Sequence, residues 1–132
     1  MIERGWARIM LQKDLTDKVL KAFYRVYNTL GYGFLEKVYE RAMWFELRTM
    51  GLQCERQKPI EVFYQEQQVG AYFADLVVED RVIVELKAAE GLVEAHEHQL
   101  VNYLKATNIE VGLLLNFGKT PQFKRKVFTN PR

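Results

Sequence analysis

The sequence predicts an α/β fold, a small mixed sheet flanked by helices, in the order α-α-β-β-β-α-β with one further edge strand. Three observations carry this. Two segments with helical apolar spacing come first, and a stretch rich in β-branched and aromatic residues follows from Pro59 to Lys87. A helical period then resumes and leads into the continuous apolar run Val111-Gly112-Leu113-Leu114-Leu115. At 132 residues the chain is expected to be one domain, 1–132, long enough to bury a core without disulfide or metal staples.

Each element has its own warrant. Asp14, Leu15, Val19, Leu20, Phe23, Val26, Tyr27 and Leu30 recur at helical spacing and predict an amphipathic helix over 14–30, broken by Gly31-Tyr32-Gly33. A second helix over 34–50 carries Leu35, Val38, Tyr39, Ala42, Met43, Phe45 and Leu47, with Gly51 as its terminator. Pro59–Tyr64, Gln68–Val78 and Val82–Lys87 read as strands, the last two joined by a Glu79-Asp80-Arg81 turn. After Gly91, a helix is expected from Leu92 to Ala106, with Val93, Leu100, Val101 and Leu104 facing the core. The Val111–Leu115 run has the look of a strand buried on both faces. Gln122–Phe128 reads as an edge strand carrying Lys124, Arg125 and Lys126.

Composition narrows the function classes only a little. Hydrophobic residues are 48% and charged residues 27%, ordinary for a globular protein. The formal net charge is +2, so any attraction for phosphate must come from where the basic residues sit. Cys54 is the single cysteine, which excludes an internal disulfide and argues against a thiolate metal site; it reads as a small residue near a strand start. There is no repeat, low-complexity stretch or linker. The opening residues lack a signal peptide's apolar core, and no window nears the ~18 apolar residues of a membrane span. The expectation is a cytoplasmic protein with no membrane partner.

The chemistry-bearing feature is Asp75 followed by Glu85-Leu86-Lys87. With a three-residue loop centred on residue 80, Asp75 falls directly opposite Glu85, with Cβ atoms about 4.5–5.5 Å apart. Strict alternation puts Phe73, Asp75 and Val77 on one face, with Ile83, Glu85 and Lys87 beside them. Two carboxylates then meet in otherwise apolar strands. Such a pair must shift its pKa or find a cation, and hard oxygen ligands suit Mg²⁺ or Mn²⁺. Lys87 would reach the same place, to orient water or stabilise phosphate charge. The plainer alternative is a surface ion pair between Lys87 and Asp75 or Glu85.

Two constellations accompany the pair. His96, Gln99 and Tyr103 share a helix face and would reach a bound phosphate or base edge, or else serve only structure. Glu36, in Gly33-Phe34-Leu35-Glu36-Lys37-Val38-Tyr39, falls in a first helical turn, where the macrodipole favours an acid in any case; it is also placed to add a third carboxylate. Lys119, Lys124, Arg125 and Lys126 form a basic stretch that either tracks a phosphate backbone or guards a sheet edge.

Together these residues resemble the PD-(D/E)XK nuclease superfamily: Asp75, then Glu85-x-Lys87, then the Gln99-x-x-x-Tyr103 helix motif typical of its RecB-type members. Gly33-x-x-Glu36-x-x-Tyr39 resembles the signature of the GxxExxY protein family within it. The likeness spans residues 14–128, and its departure is Ala74 where the nominal motif has proline. The resemblance implies a restriction-endonuclease-like αβββαβ core and divalent-metal-dependent hydrolysis of phosphodiester bonds in nucleic acid, with DNA the first expectation. It implies Asp75 and Glu85 as metal ligands, Lys87 as the catalytic lysine and Glu36 as an accessory acid; the expected mechanism adds the Leu86 carbonyl to the metal ligands. Gln99, Tyr103, His96 and Tyr39 would support the site or contact substrate. Two alternatives stand beside it: a module on the same fold that binds nucleic acid or protein without cleaving, and a subunit active only with a partner or as a homodimer.

Overall fold

The computed structural model describes residues 2–129, with side chains from 12 onward. Residues 1 and 130–132 of the expected domain lie outside the described residues. The elements are α1 (Ile2–Leu30), α2 (Glu36–Thr49), β1 (Cys54–Tyr64), β2 (Gln67–Val78), β3 (Val82–Lys87), α3 (Glu94–Lys105), β4 (Val111–Phe117) and β5 (Pro121–Val127). The strands form one sheet in sequence order, β1 to β5. Neighbours are antiparallel except β3 and β4, which run parallel because α3 carries the chain back across the sheet.

Both faces of the sheet are covered. On one, α1 brings Leu15, Val19, Phe23 and Val26, and α2 brings Tyr39, Met43 and Leu47. They close over Leu76, Val78, Val84, Leu86, Leu113 and Leu115. On the other face Leu100, Tyr103 and Leu104 of α3 pack on Ile60, Ala74, Val77, Ile83 and Leu114. This sandwiching explains why β4 is buried along its whole length.

The architecture is the predicted α/β mixed sheet, with corrections at element ends. α1 begins well before Asp14. β1 begins at Cys54 rather than Pro59, because Glu55-Arg56-Gln57-Lys58 gives no apolar alternation on an exposed edge strand; its pairing to β2 is a main-chain matter. On α3, Val93 is exposed and Val101 half-buried, while Tyr103 takes the core position. Val93 precedes the first helical turn, so helical periodicity does not govern it.

Candidate active site

Asp75 sits where β2 departs from regularity. Arg56 pairs with Leu76 and Lys58 with Ala74, which leaves Gln57 and Asp75 facing each other outside the ladder, Gln57 with a φ of 51°. Ala74 and Val77, three residues apart, both pack toward α3, while Leu76 turns toward α1 and α2. Alternation therefore slips by one residue at Asp75. The expectation that Phe73, Asp75 and Val77 share a face is corrected accordingly: a strand that slips register rotates everything beyond the slip.

On its other side the register is the one expected about residue 80. Val78 pairs with Val82, Val77 with Ile83 and Leu76 with Val84, across a turn in which Glu79 and Asp80 have φ of 55° and 54°. The next pair in this register is Asp75 with Glu85, and there side chains take over from the main chain. The Asp75 N–H donates to Glu85 Oε2 at 2.7 Å, and the Leu86 N–H donates to Asp75 Oδ2 at 2.8 Å. Each carboxylate thus satisfies a backbone donor of the opposite strand. That locks both orientations and explains why the ladder stops at Leu76 and Val84.

The electrostatics of the pair are unfavourable as it stands. Burial, then repulsion from Asp75, pushes Glu85 up to about 8, against the opposing pulls of the Asp75 N–H and Lys87. Burial also raises Asp75, reinforced by Glu40 and Glu36, and the hydrogen bonds from Leu86 and Gln57 only partly offset it. Desolvation and like charge outweigh every stabilising contact the chain supplies, so the pair calls for a proton or a cation. Lys87 is half-buried and, among the described residues, makes no ion pair with either acid, so the surface salt-bridge alternative does not describe this hairpin.

Helix α2 brings two further acids to this edge. Glu36 is its first residue, and Glu40 lies one turn on; both charges act on the Asp75 carboxyl. Gln57 bridges the two layers, its Nε2 donating to Asp75 Oδ1 and to Glu40 Oε2, each at 3.3 Å. The Gly33–Tyr39 motif is a device for starting this helix. Gly33 has a φ of 107° with open space where a Cβ would stand, so backbone conformation selects glycine. Tyr39 is wholly buried, stacked on Phe117 at 4.1 Å, and its hydroxyl donates to the Gly31 carbonyl at 2.7 Å while accepting the Phe34 N–H at 3.2 Å. Tyr39 sets the loop ahead of Glu36 from a wholly buried position.

On α3, Gln99 Nε2 donates to the Tyr103 hydroxyl at 2.9 Å, so these two bond to each other rather than to buried backbone. Tyr103 feels both Glu85 and Asp75, and with burial these raise its pKa. His96 has a local duty: its Nδ1 accepts the Val93 N–H at 3.4 Å at the start of α3. The basic stretch is dispersed, since Lys126 pairs with Glu97 at 2.6 Å and Arg125 is half-buried, leaving Lys119 and Lys124 exposed.

Three residues near the site escaped the sequence reading. Glu40 was legible in principle, four residues from Glu36 and so on the same helical face. Asn116, wholly buried opposite Lys87, donates to the Ala89 carbonyl at 2.9 Å and accepts the Ala89 N–H at 3.0 Å, clamping the chain as it leaves Lys87. An asparagine beside an apolar run was its signal. Gln57 had none, because its role depends on the β1 irregularity.

Among the described residues, no three Asp, Glu, His or Cys side chains converge into a ready-made metal shell. The donor set is a pair of hard carboxylates, which suits a divalent ion completed by carbonyl, water and phosphate oxygens. No curated protein matches the sequence. The crystal structure of SSO0001 is similar in fold, with a TM-score of 0.55 at 14% identity, covering 92% of this chain; the chain spans 61% of that protein's length. A family model of the PD-(D/E)XK nuclease superfamily matches residues 13–127, which contain every acid of the site together with Lys87, Gln99 and Tyr103. The chain belongs to the PD-(D/E)XK nuclease superfamily.

Proposed function

We propose that this protein is a divalent-metal-dependent nuclease that hydrolyses phosphodiester bonds of nucleic acid, with DNA the first substrate to test. The observation that carries the reading is the Asp75–Glu85 pair: two carboxylates, cross-bonded to each other's strands, both pushed up by burial and by neighbouring acids, a cost that a cation would relieve. In this reading Asp75, Glu85 and the Leu86 carbonyl hold Mg²⁺ or Mn²⁺, and Glu36 contributes through water. Bound there, the metal supplies Lewis-acid polarisation of the phosphodiester and lowers the pKa of water.

The chain's own groups do the rest. The Leu86 and Asp75 N–H bonds fix both carboxylates before any ligand arrives, so little reorganisation accompanies binding. Lys87, on the exit of β3 and held by the Asn116 clamp, orients the attacking water and offsets charge building on phosphate oxygens. Gln99 and Tyr103 hold each other beside the pair, placed to support the site or meet a nucleotide. The Gly33–Glu36–Tyr39 helix start supports placing the chain in the GxxExxY group.

The same fold without chemistry, a nucleic-acid- or protein-binding module or a subunit awaiting a partner or second copy, is the alternative. It is favoured by the lack, among the described residues, of a third Asp, Glu, His or Cys side chain converged with the pair. Single- and double-stranded DNA and RNA, incubated with Mg²⁺ or Mn²⁺ beside a chelator control, separate the two. The nuclease reading expects cleavage that chelator abolishes and that Lys87→Ala lowers by at least about 10²-fold. Cleavage that persists in chelator, or is equal in the variant, overturns it.

A further inference from the structure

A groove of about 1050 Å³ runs between α3 and the outer part of the β1–β2 hairpin. Its aromatic lining is Phe63, Tyr72 and Tyr103, and the Tyr72 and Tyr103 rings lie 5.7 Å apart at 46°. Phe63 and Tyr72 are exposed at 57% and 49%, large values for rings with no covering element. Beside the rings stand the side-chain amides of Gln99 and Asn102. The lining charges are Glu61 and Lys105, which offset each other.

This chemistry discriminates between parts of a nucleic acid. Phosphate backbones are gripped by rows of Lys and Arg, and the groove has a single lysine, Lys105, opposed by Glu61. Rings engage base faces, and amides read base edges, but base faces are accessible only where a strand is unpaired. Tyr103 links the groove to the acidic pair: it forms part of the groove wall, and it lies in the field of Glu85 and Asp75. Resting on the nuclease reading and deepening it, we infer that the groove holds unpaired nucleotides of a single-stranded segment, bases stacked on Tyr72 and Phe63, and leads that strand to Asp75 and Glu85.

The test is fluorescence anisotropy of a labelled short oligothymidine and of a duplex of equal length, in chelator so that nothing is cut. The single strand should bind about tenfold tighter than the duplex, and Tyr72→Ala should weaken it about tenfold. Tyr72→Phe keeps the ring and should restore most of the binding. Phe45→Ala removes an exposed ring on α2, outside the groove, and should change nothing. Equal affinity for single strand and duplex, or unchanged binding in Tyr72→Ala, overturns the inference. So does a dimer in sedimentation that Tyr72→Ala dissolves while oligonucleotide affinity stays, which assigns the groove to a second copy. The two readings fail separately. Tyr72-dependent binding without metal-dependent cleavage keeps the groove and removes the nuclease; metal-dependent cleavage indifferent to Tyr72→Ala does the reverse.

Discussion

The β1–β2 arm and the β3–β4 centre are built from similar main-chain ladders, ten pairs in the first and six in the second, yet they differ in nearly everything else. The centre lies between helices on both faces, and Val82 through Leu86 and Val111 through Gly118 are buried without a break. The arm reaches past the helices and leaves Phe63, Tyr64, Val69, Tyr72 and Phe73 exposed. Backbone hydrogen bonds contribute comparably in both, so burial makes the centre the stabilising half. The arm's apolar side chains are not covered by any described element and add little burial. Asp75 and Glu85 stand at the border between the halves, Glu85 buried and Asp75 half-buried, dry enough for both carboxyls to be perturbed.

That contrast can be broken most sharply by truncating each half in turn. Leu114→Ala, at the wholly buried centre, should cost about 2–5 kcal/mol in denaturant unfolding. A loss below about 1 kcal/mol would mean that the centre is not the stabilising half. At the opposite extreme, Tyr64→Ala at the tip of the arm should stay within about 0.5 kcal/mol of the parent, and a large loss there would reverse the assignment.

At the border itself the prediction concerns pH. Glu85 stands at about 8 in the folded chain against 4.5 as its reference, and Asp75 is raised in the same direction. The folded state therefore binds more protons than the unfolded chain between those values. Stability from this source is fully present below about 4.5 and is lost as pH rises through about 8. In chelator, stability should fall over that window by a few kcal/mol, and Mg²⁺ or Mn²⁺ should restore it at the alkaline end. Glu85→Gln should flatten the profile and remove the metal response. A parent protein whose stability is level from pH 5 to 9 in chelator would sink the account of the pair. Smaller again is Asn116→Ala, which deprives both Ala89 groups of their partner and should cost about 1–2 kcal/mol by thermal melting, with Lys87-dependent activity falling further than stability does.

Much of the fold was legible because each element buries a face that its own period announces. Val19, Phe23 and Val26, or Tyr39, Met43 and Leu47, recur every three or four residues and duly pack on the sheet. The part of β1 before Pro59 was not legible, since an edge strand held by main-chain bonds leaves no apolar trace. The cross-strand meeting of Asp75 and Glu85 was readable too, because a three-residue turn and antiparallel pairing fix register by arithmetic. Their faces were not, because the slip at Gln57 and Asp75 arises from a backbone φ that no residue type advertises there.

The sequence by itself therefore determined the order of elements, the hairpin register and the pairing of two acids beside a lysine, all consequences of local periodicity and turn length. Tertiary structure alone decided what those acids experience. Burial raises both carboxyls, Gln57 links Asp75 to Glu40 on α2, and Tyr103 of α3 lies both in their field and in the wall of an aromatic groove. Desolvation and through-space repulsion depend on which surfaces close over a residue, and that is set by packing between elements distant in the chain.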